Sequence, residues 1–400
     1  MYDAGHEVEN NDMNLSLNNS SQRAGEYRAQ PGNYKAFFPA PLPPDPGIAF
    51  TPETWRLLSD ADRALGRLDA VTQTLPDTEL FLLMYVRKEA LLSSQIEGTQ
   101  ASLEDIIQFE NDIQEAENPD DVEEVVNYIR ALNHGLGAIE RLPVSVRLIR
   151  EVHCELMRGV RGQNRNPGEI RTIQNWIGRE GTDLYDALFV PPPPGDPLNA
   201  ALSDLERFIH SEPELPVLIQ IALVHAQFET IHPFLDGNGR LGRLLITFLL
   251  CEKDILEEPS LYISHFFKRY KSEYYERLQG VRDRGDWEGW VNFFLRGVRD
   301  VAREGARTAG AILRLREDHR ALIAGKLSRA QAGSAAHLLD HMFKVPVISI
   351  NSASNVIQRS FANANTLVAR LCELGLLEEI TGRERDRLFR YSPYVALFRD

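Results

Sequence analysis

A histidine at position 232 stands four residues ahead of an aspartate, and the run His232-Pro-Phe-Leu-Asp-Gly-Asn-Gly-Arg-Leu-Gly-Arg243 then delivers a Gly-Asn-Gly turn and two arginines three positions apart. Glycines let the backbone turn tightly and aim its N–H groups at one point, a nest for phosphate oxygens. A helix starting there adds its positive end to the same point. Arg240 and Arg243 are neighbours on that helix surface, so both guanidinium groups reach the nest. His232 beside such a nest reads as a general base rather than a structural histidine. Asp236 has two readings: an Mg2+ ligand shared with the phosphates, or an N-cap for the following helix. Phe234 is assigned to the core.

The elements that must hold these residues are helical. Leu241, Leu244, Leu245 and Phe248 fall at i, i+3, i+4 and i+7, the stripe of a buried helix face. His225, Glu229 and His232 lack the H-E-x-x-H spacing of zinc proteases, and Pro233 interrupts any shared face, so zinc is disfavoured. The chain also lacks a G-x-x-x-x-G-K-S/T loop, which removes the P-loop explanation for phosphate binding.

All nine specified positions of H-P-F-x-D/E-G-N-G-R-x-x-R are met between His232 and Arg243. The chain therefore resembles the Fic family, most of whose members transfer AMP from ATP to a protein hydroxyl. The resemblance implies that His232 takes the proton of a target Tyr, Thr or Ser as its oxygen attacks the α-phosphate. It favours Asp236 as the Mg2+ ligand. It implies a nucleotide-binding stretch of Gly237, Asn238, Gly239, Arg240, Leu241, Gly242 and Arg243, with Asn238 on the α-phosphate and the arginines on the outer phosphates. Ser272 to Leu295 resembles the helices that wall the adenine pocket, with Tyr275 against the nucleotide or, equally, a core aromatic.

A second segment, Phe81 to Gln100, resembles the N-terminal inhibitory segment of Fic proteins that carry their own inhibitor. Its S/T-x-x-x-E-G/N form is met from Ser93 to Gly98, with Glu97 between. By that resemblance Glu97 points into the site and pairs with Arg243, occupying the guanidinium that the γ-phosphate needs. ATP would then bind without a productive α-phosphate.

The whole chain bounds these readings. Its 400 residues suggest two or three domains, and a net charge of −14 argues against a surface built throughout for nucleic acid or anionic membrane. Cys154, Cys251 and Cys372 are scattered through apolar helical patterns and read as buried free thiols of a reducing compartment. With no signal pattern and no long apolar run, a cytoplasmic protein is expected.

The expected fold is mainly α: a disordered arm over 1–32, an N-terminal helical region over 33–140 with the inhibitory helix, a Fic core over 141–318, and a winged helix-turn-helix module over 319–400. Tyr34 to Pro46 reads as an extended proline-rich strap across the surface. Glu169 to Val190 alternates around a Gly-rich turn and reads as a β-hairpin, which the resemblance makes a flap that aligns the target backbone. Residues 321–400 carry ten Lys and Arg against seven Asp and Glu, so the module suits either duplex DNA or a protein surface. The function expected is a protein adenylyltransferase that also modifies itself, with ATP and Mg2+, a protein substrate and a homodimer partner. The alternative is a nucleotide-gated DNA- or protein-binding regulator, for which an intact base is not required.

Overall fold

The computed structural model describes residues 23–74, 78–110, 118–160, 162–179, 181–212 and 214–398. Two antiparallel strands open it, β1 (Gly25–Gln30) and β2 (Tyr34–Pro39), paired from Gly25 opposite Pro39 to Gln30 opposite Tyr34. This corrects two expectations. Residues 1–22 of the expected arm lie outside the described residues, but 23–32 are ordered, and the start of the strap is a strand. The physical reason is Phe37. It is fully buried, its N–H donates to the Val190 carbonyl at 2.9 Å, and its ring meets Tyr27 and Phe189.

Helices follow. α1 (Pro52–Gln73) begins at Thr51, whose hydroxyl accepts from the Thr54 N–H, and buries Leu57, Leu58, Ala61, Leu65 and Leu68 on one face. α2 (Thr78–Ile96), α3 (Leu103–Glu110), α4 (Pro119–Ile139), α5 (Val146–Leu156) and α6 (Asp196–His210) surround a central pair, α7 (Val217–Ile231) and α8 (Asn238–Glu252). Every residue from Leu218 to Ile231 is buried, so α7 carries no polar stripe; it is enclosed on all sides by its neighbours. Two shorter helices, α9 (Ser264–Arg269) and α10 (Lys271–Arg284), lead into α11 (Trp287–Lys326), which runs back along α1.

α11 runs through residue 318, the expected boundary, and ends about two turns later at Lys326. Its apolar positions, among them Val298, Val301, Ala302, Ala309 and Ile312, are buried, and after a half-exposed stretch Ile323 is buried again. The terminal module then runs α12 (Arg329–Met342), β3 (Val347–Ser349), α13 (Ile350–Ile357), α14 (Phe361–Glu373), β4 (Glu378–Glu379) and β5 (Leu388–Arg390), with α15 (Ser392–Val395) after it. Its sheet is antiparallel in the order β3–β5–β4. The Arg390 guanidinium pairs with Glu104 of α3 at 2.8 Å, and Arg87 of α2 donates to the Lys344 carbonyl at 3.1 Å.

The cysteines are free, but Cys154 is exposed and Cys251 and Cys372 are half-buried. An apolar sequence neighbourhood did not decide which face of a helix each occupies. Among the described residues, no helix is long and apolar enough to cross a membrane.

Candidate active site

α7 stops at His232 because that residue adopts the left-handed conformation, φ 49° and ψ 60°, with its N–H still donating to the Phe228 carbonyl at 2.9 Å. Such a conformation in a non-glycine residue needs outside support. The support comes from the segment expected to be a hairpin. Arg171 Nε and Asn175 Nδ2 donate to the His232 carbonyl at 3.0 and 3.1 Å, and Asn175 also reaches the Phe234 carbonyl at 2.9 Å. Between 169 and 190 the described residues form one antiparallel bridge, Ile177 opposite Phe189, in place of a full hairpin. On one side of the bridge the Arg171 N–H donates to the Pro233 carbonyl at 3.0 Å, and on the other the Val190 carbonyl accepts from Phe37 of β2. Trp176, Tyr185 and Leu188 are left exposed around the bridge.

The turn after His232 is clipped from inside. Asn238, 2% exposed, accepts from the Phe234 N–H at 2.9 Å and donates to the Phe234 carbonyl at 2.8 Å. Its side chain is thus committed to loop geometry, and only the rest of the residue faces a ligand. His153 secures the other side: its Nδ1 accepts from the Gly168 N–H at 2.8 Å, which leaves Nε2 to donate to the Asp236 carbonyl at 3.0 Å. Burial pushes its pKa down to about 4, so the ring is neutral, and it stacks on Phe234 at 3.8 Å. Gly237 takes φ 74° as the residue preceding α8, which has no side-chain cap. The N-cap reading of Asp236 therefore fails; its Oδ1 accepts from the adjacent Gly237 N–H instead.

These residues border a cavity of about 860 Å³, lined by His232, Asp236, Gly237, Asn238, Gly239, Arg240 and Arg243 together with Glu97, Tyr275 and Arg282. Leu241 and Gly242 are not on its wall: Leu241 is fully buried in the core, and Gly242 packs against Phe228 and Glu229. Gly242 lies on the face of α8 turned toward α7. Tyr275 is 43% exposed and opens onto the cavity, so the core alternative is excluded for it.

Electrostatics divide the site. Burial, then the positive charges of Arg282 and Arg171, push the His232 pKa down to about 3, and the imidazole is neutral. Arg240 is buried and pairs with Glu124 of α4 at 3.3 Å. Arg243, 1% exposed, donates through Nε to Ser93 Oγ at 2.8 Å, and through its second terminal nitrogen to the Ser93 carbonyl at 2.9 Å and to Glu97 at 2.7 Å. Burial tends to raise the Glu97 pKa, and the Arg243 charge more than reverses it, so the pair is ionic. Glu97 follows the end of α2, and Gly98 takes φ 108° immediately after it. A Cβ on Gly239 would collide with the Glu97 carboxyl, so the glycine is what admits it.

Ser93, Glu97, His232, Asp236 and the arginines are thus brought together across 150 positions of sequence. Arg171, Asn175, His153, Glu124 and Arg282 were not singled out beforehand. Their partners are backbone carbonyls or buried charges far away in sequence, and no local spacing marks them. His225 is a core histidine, bonded to the Gly242 carbonyl and Tyr274 hydroxyl at 2.9 Å each. Among the described residues no group of three His, Cys, Asp or Glu side chains could hold a metal ion.

The chain matches the Fic/DOC family N-terminal model over residues 55–137 and the Fic/DOC family model over residues 143–250. It is similar to the protein adenylyltransferase Fic of Drosophila erecta and of Drosophila melanogaster, 31% identical over 157 residues in each case. That stretch is 39% of this chain, and it spans only 28% of the length of those relatives. Its fold is similar to that of a Fic family protein from Desulfovibrio desulfuricans G20, with a TM-score of 0.56 at 22% identity over 86% of this chain and 97% of that one. A Fic domain containing signaling protein from Bacteroides thetaiotaomicron is similar at a TM-score of 0.51 and 18% identity, covering 63% of this chain and 97% of that one. The chain thus carries a region that matches the Fic/DOC N-terminal model and a region that matches the Fic/DOC family model, and the second holds the loop from His232 to Arg243.

Proposed function

We propose that the protein is an adenylyltransferase that moves AMP from ATP to the hydroxyl of a Tyr, Thr or Ser on a target protein and on itself. The observation that carries this is a neutral histidine on the wall of one cavity with a glycine-bounded helix start and two buried arginines. The hydroxyl oxygen attacks the α-phosphorus, the bond to the β-phosphate oxygen breaks, and pyrophosphate leaves. His232 takes the hydroxyl proton. Its low pKa in the free protein rises once phosphates offset Arg282 and Arg171, which is when a base is needed. Arg240 and Arg243 stabilise charge on the departing pyrophosphate.

Asp236 fits Mg2+ as a single half-buried carboxylate on the cavity wall whose Oδ2 is not engaged by the loop. Magnesium suits one carboxylate completed by waters and phosphates, and when bound it neutralises phosphate charge. The Glu97 contact supports an autoinhibited resting state, since Nε and one terminal nitrogen of Arg243 are engaged by Ser93 and Glu97. Incorporation of label from α-labelled ATP, with Mg2+ and cell lysate, tests the activity; no label in either the lysate or the protein, for parent and Glu97→Gly alike, rejects it.

A second reading concerns the terminal module. From Gln358 to Cys372 no acidic side chain occurs, and the outer face of α14 presents Asn363, Thr366 and Arg370. That face suits the major groove of duplex DNA. Fluorescence anisotropy with a labelled duplex at low salt tests it: binding should fall steeply with salt and weaken in Arg359→Glu. A signal indifferent to both rejects it.

A further inference from the structure

One buried acid at the site has no donor. Glu229 lies on α7 one turn before His232, is 6% exposed, and lines the cavity. Its backbone carbonyl accepts from Arg282 at 3.0 Å, but its side-chain Oε1 is buried without a hydrogen-bond partner. A buried polar atom left unsatisfied is costly and calls for an explanation in function. Nor is its approach to α8 accidental, because a Cβ on Gly242 would collide with Oε1. Arg243 is the cation beside it, close enough for each to shift the other's proton affinity. Every hydrogen bond that Arg243 donates goes to Ser93 or Glu97. Two carboxyl groups thus lie beside one guanidinium, and in this state only Glu97 is hydrogen-bonded to it.

We propose that Glu229 is the positioning residue for Arg243: it takes up the guanidinium when the Glu97 segment withdraws and holds it toward the outer phosphates of the nucleotide. This rests on the nucleotide-site reading above and adds a proton to it. Burial pushes the Glu229 pKa up to about 7, with Arg243 and Arg282 acting against burial and the Glu97 charge acting with it. Tyr274 and Tyr275 of α10 face the same acid and stay neutral, their own pKa values raised by burial. While Glu97 is docked, Glu229 keeps its proton up to about pH 7. When Glu97 leaves, a like charge is removed, the proton passes to solvent through the cavity, and the carboxylate bonds Arg243. The docked state binds more protons than the open one, so rising pH favours opening. His232 and His153, pushed down to about 3 and about 4, are neutral across that range and do not contribute.

The test is hydrogen exchange of residues 93–100 in the full chain without nucleotide, corrected for intrinsic rates, between about pH 6 and pH 8. Protection should fall several-fold as pH rises, and Glu229→Gln should hold the low-pH protection throughout while α7 and α8 exchange as in the parent. Glu229→Asp, which keeps an ionisable group, should retain the pH dependence. A parent whose protection does not change with pH overturns the proposal without recourse to any variant, as does a Gln variant with the parent's pH dependence. In a Glu97→Gly background, Glu229→Gln should raise the ATP concentration for half-maximal label transfer several-fold; an unchanged value rejects the positioning role. If no variant transfers label, the nucleotide reading fails while the exchange result still decides whether Glu229 is coupled to the segment.

Discussion

At the scale of single residues, His232 and Arg243 have separable tasks. His232→Ala removes the proton acceptor but leaves the Gly237–Gly239 turn and both arginines. Label transfer from α-labelled ATP should be lost while ATP affinity, by calorimetry, stays within a few-fold of the parent. Undiminished transfer rejects the base. Glu97→Gly frees Arg243, and transfer should rise well above the parent rate, self-modification included. Holding a docked state at 99:1 takes only about 2.7 kcal/mol, within reach of one partly buried ion pair backed by the Ser93 bonds. Arg243→Ala in the Glu97→Gly background should cancel the gain, since both act through one contact. A double mutant that stays fast shows that inhibition works through another residue. Asp236→Ala should weaken Mg2+-dependent nucleotide binding together with turnover, and equal Mg2+ titrations for the two proteins would remove its metal role.

At the scale of elements, the brace from Arg171 to Asn175 deserves the test that the exposed bridge residues do not. Asn175 donates to two carbonyls of the loop that holds His232 in its left-handed conformation. Asn175→Ala should lower the transfer rate about tenfold or more with little change in ATP affinity, because misplacing a reacting group by a fraction of an ångström is felt in the chemical step. Steady-state kinetics in the Glu97→Gly background separates the two; a loss confined to ATP affinity would mean that the brace serves the nucleotide and not the base. The same segment pairs its two arms through one antiparallel bridge, Ile177 opposite Phe189. Its alternating pattern is compatible with a strand pair, but Arg171, Gln174 and Asn175 turn their hydrogen bonds inward to the loop and to Pro191 and Pro192.

At the scale of the whole molecule, α2 and α3 on both sides of Glu97 are tied to the terminal module through Arg87 and Glu104. Arg390→Ala should therefore loosen α3 and raise hydrogen exchange over 93–110 by several-fold, with a smaller rise in label transfer. Unchanged exchange there would show that the module and the Glu97 segment are energetically independent. The sequence alone determined the loop chemistry, since a tight turn needs glycines at fixed spacing and a phosphate nest needs the helix start behind it. It also determined the helical character through apolar period, while the pairing of Glu97 with Arg243 came from the resemblance of two motifs and is met in the structure at 2.7 Å. Tertiary structure decided the rest. It decided that Asn238 clips its own loop, that Leu241 faces the core, that residues 25–39 pair because Phe37 is buried, and that the carboxyl of Glu229, 14 residues before Arg243, lies buried beside the site without a hydrogen-bond partner. Each of these depends on which distant group lies opposite a side chain, and a local pattern of residue types carries no record of that.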